Sequence, residues 1–104
     1  MRRRSLFLTN RALEEVAEIR AWLSREVSGR VAASTVKRLR AEMDRLRTDA
    51  MLGVARPEIG ADVRFTVSGR YVIYYEATES QVRVIRVLHE ARDRDAIMGA
   101  GQDR

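Results

Sequence analysis

The chain has 104 residues, 45% hydrophobic and 34% charged, which is enough for one domain with a packed core and argues against wholesale disorder. It has no cysteine and one histidine, His89, so disulfides and thiolate metal sites are excluded and no carboxylate–histidine spacing suits zinc; no metal or cofactor is expected. Twenty basic residues against fifteen acidic ones give a net charge of +5, nearly all of it arginine (Lys37 is the sole lysine), and arginine's planar fork favours an acidic partner, either nucleic acid or protein.

Arg2-Arg3-Arg4 before Ser5-Leu6-Phe7-Leu8 has the outline of a signal peptide. The apolar run falls far short of the roughly 7–15 residues required, however, and Thr9-Asn10-Arg11 ends it. No stretch nears the about 18 apolar residues of a membrane span, so a soluble protein inside the cell is expected. Ser5–Leu8 reads instead as an edge strand. Thr9-Asn10 is a helix N-cap signal, with Glu14 and Glu15 placed to complement the helix dipole. Ala12, Val16, Ile19 and Leu23 then form one apolar stripe that Leu13 and Trp22 widen, and Ser28-Gly29 ends the helix. A second helix runs from about Arg30 to Arg47, with Ala32 or Ala33, Val36, Leu39, Met43 and Leu46 on its apolar face. The short connection makes the two an antiparallel helical hairpin.

Thr48 to Gly60 carries Gly53, Pro57 and Gly60 and reads as irregular chain leading into a sheet. Arg64–Val67 and Arg70–Ala77 follow as strands around a Ser68-Gly69 turn; Thr78-Glu79-Ser80 then turns into Gln81–Leu88. Strict alternation puts Val82, Val84, Arg86 and Leu88 on one face of the last strand. It puts Arg83, Ile85, Val87 and His89 on the other, a pattern suited to an interior strand. Arg94–Met98 adds a helical turn and Gly99–Arg104 frays. The expected architecture is α+β and a single domain over 1–104 with its core at about 5–95: N-terminal strand, helical hairpin, then a mainly antiparallel three-stranded meander in one small sheet.

Several segments taken together resemble the RelE/ParE toxin superfamily, and its ParE-like branch in particular. They are Ala12, Val16 and Ile19; Met51-Leu52-Gly53; Arg64; Gly69-Arg70-Tyr71-Val72-Ile73-Tyr74-Tyr75; and Arg86-Val87-Leu88-His89-Glu90-Ala91-Arg92-Asp93. The likeness spans about residues 5–95, and one departure is Asp49-Ala50 where the family often has Asn-Pro.

The resemblance implies a toxin of a type II toxin–antitoxin system. Such a toxin binds DNA gyrase, traps it on DNA and arrests replication in the cytoplasm without catalytic turnover. A small ParD-like antitoxin would hold it in a hetero-oligomer. Arg64, Arg70, Arg86, His89, Arg92 and Asp93 are candidate target contacts; Trp22, Arg38, Arg45 and Tyr71 are candidate antitoxin contacts. One alternative is a RelE-like, ribosome-dependent mRNA endonuclease, with His89, Arg86 and Tyr75 as its catalytic candidates. Arginine is a poor proton carrier near neutrality, so proton transfer would fall to tyrosine or His89. The lysines that RelE-type nucleases bring from central strands are absent here. A further alternative is an inactive member that persists as an antitoxin-binding module. Beside these roles stand structural ones: His89 capping the next turn, Arg92-Asp93 as a local ion pair, the tyrosines as packing, and Trp22 as core or interface anchor.

Overall fold

The computed structural model describes residues 3–93. Its elements are β1 (Ser5–Leu8), α1 (Asn10–Glu26), α2 (Gly29–Asp49), a 3-10 turn (Ala50–Leu52), β2 (Val54–Ala55), β3 (Val63–Ser68), β4 (Tyr71–Ala77) and β5 (Gln81–His89). Residues 90–93 begin a helical turn, and the readings for Arg94–Arg104 lie outside the described residues. The sheet has five strands in the order β1-β5-β4-β3-β2. β1 lies parallel to β5, and every other pair is antiparallel. The α+β architecture is as expected, with β1 joining the meander's sheet and a two-residue strand, β2, inside the stretch that reads as irregular.

Both helices start on side-chain caps. The Thr9 hydroxyl accepts the Ala12 N–H at 3.1 Å, and the Ser28 hydroxyl accepts the Val31 N–H at 3.1 Å. Ser28-Gly29 therefore opens α2 instead of closing α1. Gly29 has no left-handed φ, and α1 ends at Val27, whose N–H reaches the Leu23 carbonyl. The α2 stripe buries Ala32, Val36, Leu39, Met43 and Leu46. On α1, Leu13 and Trp22 do not join the stripe, since both are about half exposed. The helix layer and the inner face of the sheet share one core: Ala12, Leu39, Met43, Leu46, Ile73, Tyr75, Val82, Val84 and Val87. A smaller cluster of Val63, Val72, Tyr74 and Leu88 sits on the outer face, with Phe65 and Ile85 against it.

Two local features depart from simple alternation. The β3–β4 hairpin pairs Ser68 with Tyr71, so its two-residue loop is Gly69-Arg70. Gly69 has φ +58°, and Arg70 has a negative φ, which excludes a type I′ turn. In β5 a bulge opposite Tyr74 and Tyr75 pairs these with Arg86 and Val84, leaving Ile85 unpaired. The extra residue shifts the alternation, so Val87 joins Val82 and Val84 in the inner core while Leu88 and Ile85 turn to the outer cluster.

Candidate functional site

β1 pairs with β5 only as far as Leu8 and Val84. Beyond that point the β5 edge is completed by side chains. The Thr9 hydroxyl donates to the Ile85 carbonyl at 3.3 Å, and the Glu15 carboxylate accepts the Val87 N–H at 2.8 Å. Glu15 is 7% exposed, and its other oxygen accepts Arg86 Nε at 2.9 Å and Nη2 at 2.7 Å, with Arg11 Nε at 3.4 Å. Arg86 is thereby committed to fastening α1 to the sheet.

A second anchor holds the loop after α2. The Tyr75 hydroxyl donates to the Ala50 carbonyl at 2.6 Å and accepts the Gly53 N–H at 3.1 Å; its ring is fully buried, and burial raises its pKa. Gly53 must be glycine, because a Cβ there would lie 2.1 Å from the Tyr75 hydroxyl and 2.8 Å from the Phe65 carbonyl. Arg64 Nη1 reaches the Gly53 carbonyl at 2.8 Å and that of Met51 at 3.4 Å. Tyr75→Phe would orphan the buried Ala50 carbonyl and Gly53 amide. We expect it to cost about 2 kcal/mol in urea unfolding, against a near-zero effect were the hydroxyl dispensable.

The remaining target candidates gather where the C-terminal turn crosses β4. Glu90 N–H donates to the Arg70 carbonyl at 2.8 Å, and the Arg70 and Glu90 side chains form an exposed ion pair at 2.9 Å. His89 Nδ1 accepts the Ala91 N–H at 3.1 Å, which places the ring proton of the neutral form on Nε2, and its ring meets Tyr71 edge-on at 5.5 Å. The Tyr74 hydroxyl donates to Asp93; burial, then this carboxylate, drive its pKa far upward. Arg92 is exposed on the same turn. The structure thus brings together Arg70, His89, Arg92 and Asp93, and it holds Arg64 and Arg86 elsewhere.

Among the antitoxin candidates, Arg45 is engaged by Glu42, whose pKa it lowers by hydrogen bonding; the Thr66 hydroxyl also binds that carboxylate at 2.6 Å. Tyr71 is half-buried, Arg38 is exposed and Trp22 is about half exposed. One concavity among the described residues is lined by none of the four. It is a trough of about 400 Å³ between the helices, with Leu8, Val16, Val36, Leu39 and Met43 among its lining residues and Leu13, Ala17, Ala21 and Ser24 along α1. Arg20 and Arg40 line it too, and among the described residues neither joins an ion pair. The signal for it was a second α1 stripe, Leu13-Ala17-Ala21-Ser24, small enough to leave a channel beside the main stripe. Among the described residues no three His, Asp or Glu side chains converge as metal ligands, and no helix is long and apolar enough to cross a membrane.

No curated protein matches the sequence. Among solved structures the fold is similar to a chain of the chromosomal ParDE TA system from P. aeruginosa, with a TM-score of 0.71 and 17% identity, covering 83% of this chain and 95% of that one. At that identity the likeness is one of fold. A family model described as the ParE toxin of the type II toxin–antitoxin system parDE matches residues 6–94. By that match, this chain is a member of the ParE toxin family of type II toxin–antitoxin systems.

Proposed function

We propose that this ParE-family toxin acts in the cytoplasm by binding DNA gyrase and arresting replication without turnover. We also propose that a ParD-like antitoxin neutralises it by laying an acidic, amphipathic helix in the trough between α1 and α2. The observation that carries the antitoxin half is the trough itself. It has an apolar floor for helix anchors, and Arg20 and Arg40 on its lining join no ion pair among the described residues. Supporting binding over RNA cleavage is the state of the proton carriers. Of the three catalytic candidates, Tyr75 is buried with its hydroxyl used twice and Arg86 is held by Glu15, and His89 keeps only Nε2, its Nδ1 capping the following turn. A general acid or base needs a free position within reach of the reacting atom.

Two assays test this reading. Purified toxin should inhibit gyrase supercoiling and leave mRNA uncut in a translating extract. Codon-linked cuts with unaffected gyrase would establish the endonuclease alternative, and expression without growth arrest would favour an inactive antitoxin-binding member. The double variant Arg20→Glu/Arg40→Glu should weaken antitoxin binding roughly 30-fold, with most of the change in dissociation and folding unaltered. Unchanged antitoxin affinity would remove the trough from the interface.

A further inference from the structure

The charges of the helical hairpin are sorted unequally. On α1 the acids Glu14, Glu15, Glu18 and Glu26 stand among the arginines. The first half of α2 has no acid: from Gly29 to Arg40 it carries Arg30, Lys37, Arg38 and Arg40. Every acid of α2 lies beyond Leu39 and is engaged there, Glu42 with Arg45, Asp44 with Arg3 and Arg47, and Asp49 with Arg45. Glu26, which precedes the stretch, pairs with Arg25. Arg30, Lys37 and Arg38 are exposed, and among the described residues none of them joins an ion pair.

Arg40 lines the trough, but Arg30, Lys37 and Arg38 do not. Helical spacing sets these three on the side of α2 turned away from its buried stripe, with Arg30 and Lys37 two turns apart on one line. Ala33, Ser34 and Ala41, all small and exposed, lie between them, so only the cations stand out from the helix. The Ser28 cap and the buried stripe hold α2 in place. From Arg30 to Arg38 the face runs about 12 Å, at ~1.5 Å of rise per residue.

This face lacks what a protein partner needs. One large apolar side chain of α2 reaches solvent, Val31 on the first turn. Exposed ion pairs without buried apolar anchors add little to protein affinity. Clustered cations suffice for a polyphosphate, because each neutralised phosphate releases condensed counterions. α2 has no aromatic residue on which an unpaired base could stack, which disfavours single strands. A duplex strand places a phosphate about every 3.4 Å along its axis, so the face spans three to four of them. The open major groove of B-form DNA gives a helix access to both of its rims, whereas the A-form major groove of RNA is narrow.

We infer that the outward face of the first half of α2 binds the backbone of duplex DNA, with Arg30, Lys37 and Arg38 each on a phosphate, beside the antitoxin trough and distinct from it. Such contacts position a protein on DNA without reading its sequence. Arg38 is thereby assigned to DNA instead of to the antitoxin. With gyrase as the target, the DNA is the duplex that the enzyme holds.

Fluorescence anisotropy of the purified chain with a labelled random-sequence duplex, over a salt series, is the test. Wild type should bind with a Kd of roughly 1–100 μM and weaken steeply as salt rises. Arg30→Gln/Lys37→Gln/Arg38→Gln should bind on the order of 10-fold more weakly at low salt, with a log–log salt slope shallower by about 3. Arg3→Gln/Arg25→Gln/Arg83→Gln removes the same charge from exposed side chains elsewhere and should bind nearly as wild type does. Circular dichroism and antitoxin co-purification should not distinguish the three proteins. Lys37 is the sole lysine, so amine acylation read by mass spectrometry reports on this face in the wild-type chain, whether or not the variants fold. The duplex should slow acylation of Lys37 about 5-fold, and high salt should restore it. No duplex binding by wild type, equal loss in both triple variants, or acylation of Lys37 indifferent to the duplex overturns the inference. Tighter binding to single-stranded or double-stranded RNA than to the DNA duplex also overturns it, as does a folded α2 variant that keeps DNA and loses antitoxin. If the α2 variant alone loses DNA while wild type leaves gyrase untouched, gyrase falls as the target and the DNA contact stands.

Discussion

Glu15→Ala is expected to destabilise the fold by about 3 kcal/mol, measured by urea unfolding at neutral pH. The loss comes from what the carboxylate does. It accepts the Val87 N–H on an edge of β5 that no strand covers, and two donors of the Arg86 guanidinium. Alanine leaves a buried amide without an acceptor, which alone costs ~1–3 kcal/mol. It also strips Arg86 of its counter-ion. Arg86 is about one-third exposed and regains some hydration, so the sum stays at the lower end of the ~3–5 kcal/mol seen when one partner of a fully buried pair is removed. Arg86→Ala should cost less, because Glu15 keeps the Val87 amide and Arg11. It should nonetheless be a folding variant first: activity per folded molecule should hold while the unfolding midpoint drops. A Glu15→Ala protein as stable as wild type would mean that water completes the β5 edge equally well.

Leu39→Ala is expected to cost about 2–5 kcal/mol through a cavity in the main core. Leu39 is 1% exposed and shares its cluster with Met43, Leu46, Ile73, Tyr75 and the β5 valines, contributed by rigid elements on both layers. Its neighbours cannot close the space without moving α2 off the sheet. It also lines the trough, so loss of its side chain should deepen the groove floor. The midpoint of urea unfolding should fall with little change in slope. A loss below about 1 kcal/mol would show that the helix layer collapses readily onto the sheet.

The helices were legible because their burial follows a 3.6-residue period, and the α2 stripe from Ala32 to Leu46 is buried as its spacing implies. Leu13 and Trp22 show the limit of that reading, since an apolar residue beside a stripe looks the same whether it meets core or water. The bulge at Ile85 was hidden for a related reason. Val84, Ile85, Val87 and Leu88 are all apolar, so shifting the alternation by one residue leaves the pattern equally plausible. β2 is only two residues, too short to carry a period, and the parallel pairing of β1 with β5 joins segments at opposite ends of the chain. At the candidate site, the cluster at the C-terminal turn was visible as a run from His89 to Asp93. Which arginines are free was not. Glu15 reads as one acid among several on a solvated helix face, and nothing local marks it as the partner that takes Arg86 out of circulation while, among the described residues, Arg20 and Arg40 join no ion pair.

A stoichiometric titration tests most directly whether this toxin works by holding its target. Gyrase at fixed concentration is mixed with increasing toxin, and supercoiling is followed over time with and without antitoxin. Binding without turnover predicts inhibition that is complete near one toxin per binding site, constant with time, and relieved when antitoxin is added. Inhibition by far less than one equivalent that deepens with time, and that antitoxin arrests but does not reverse, would contradict it.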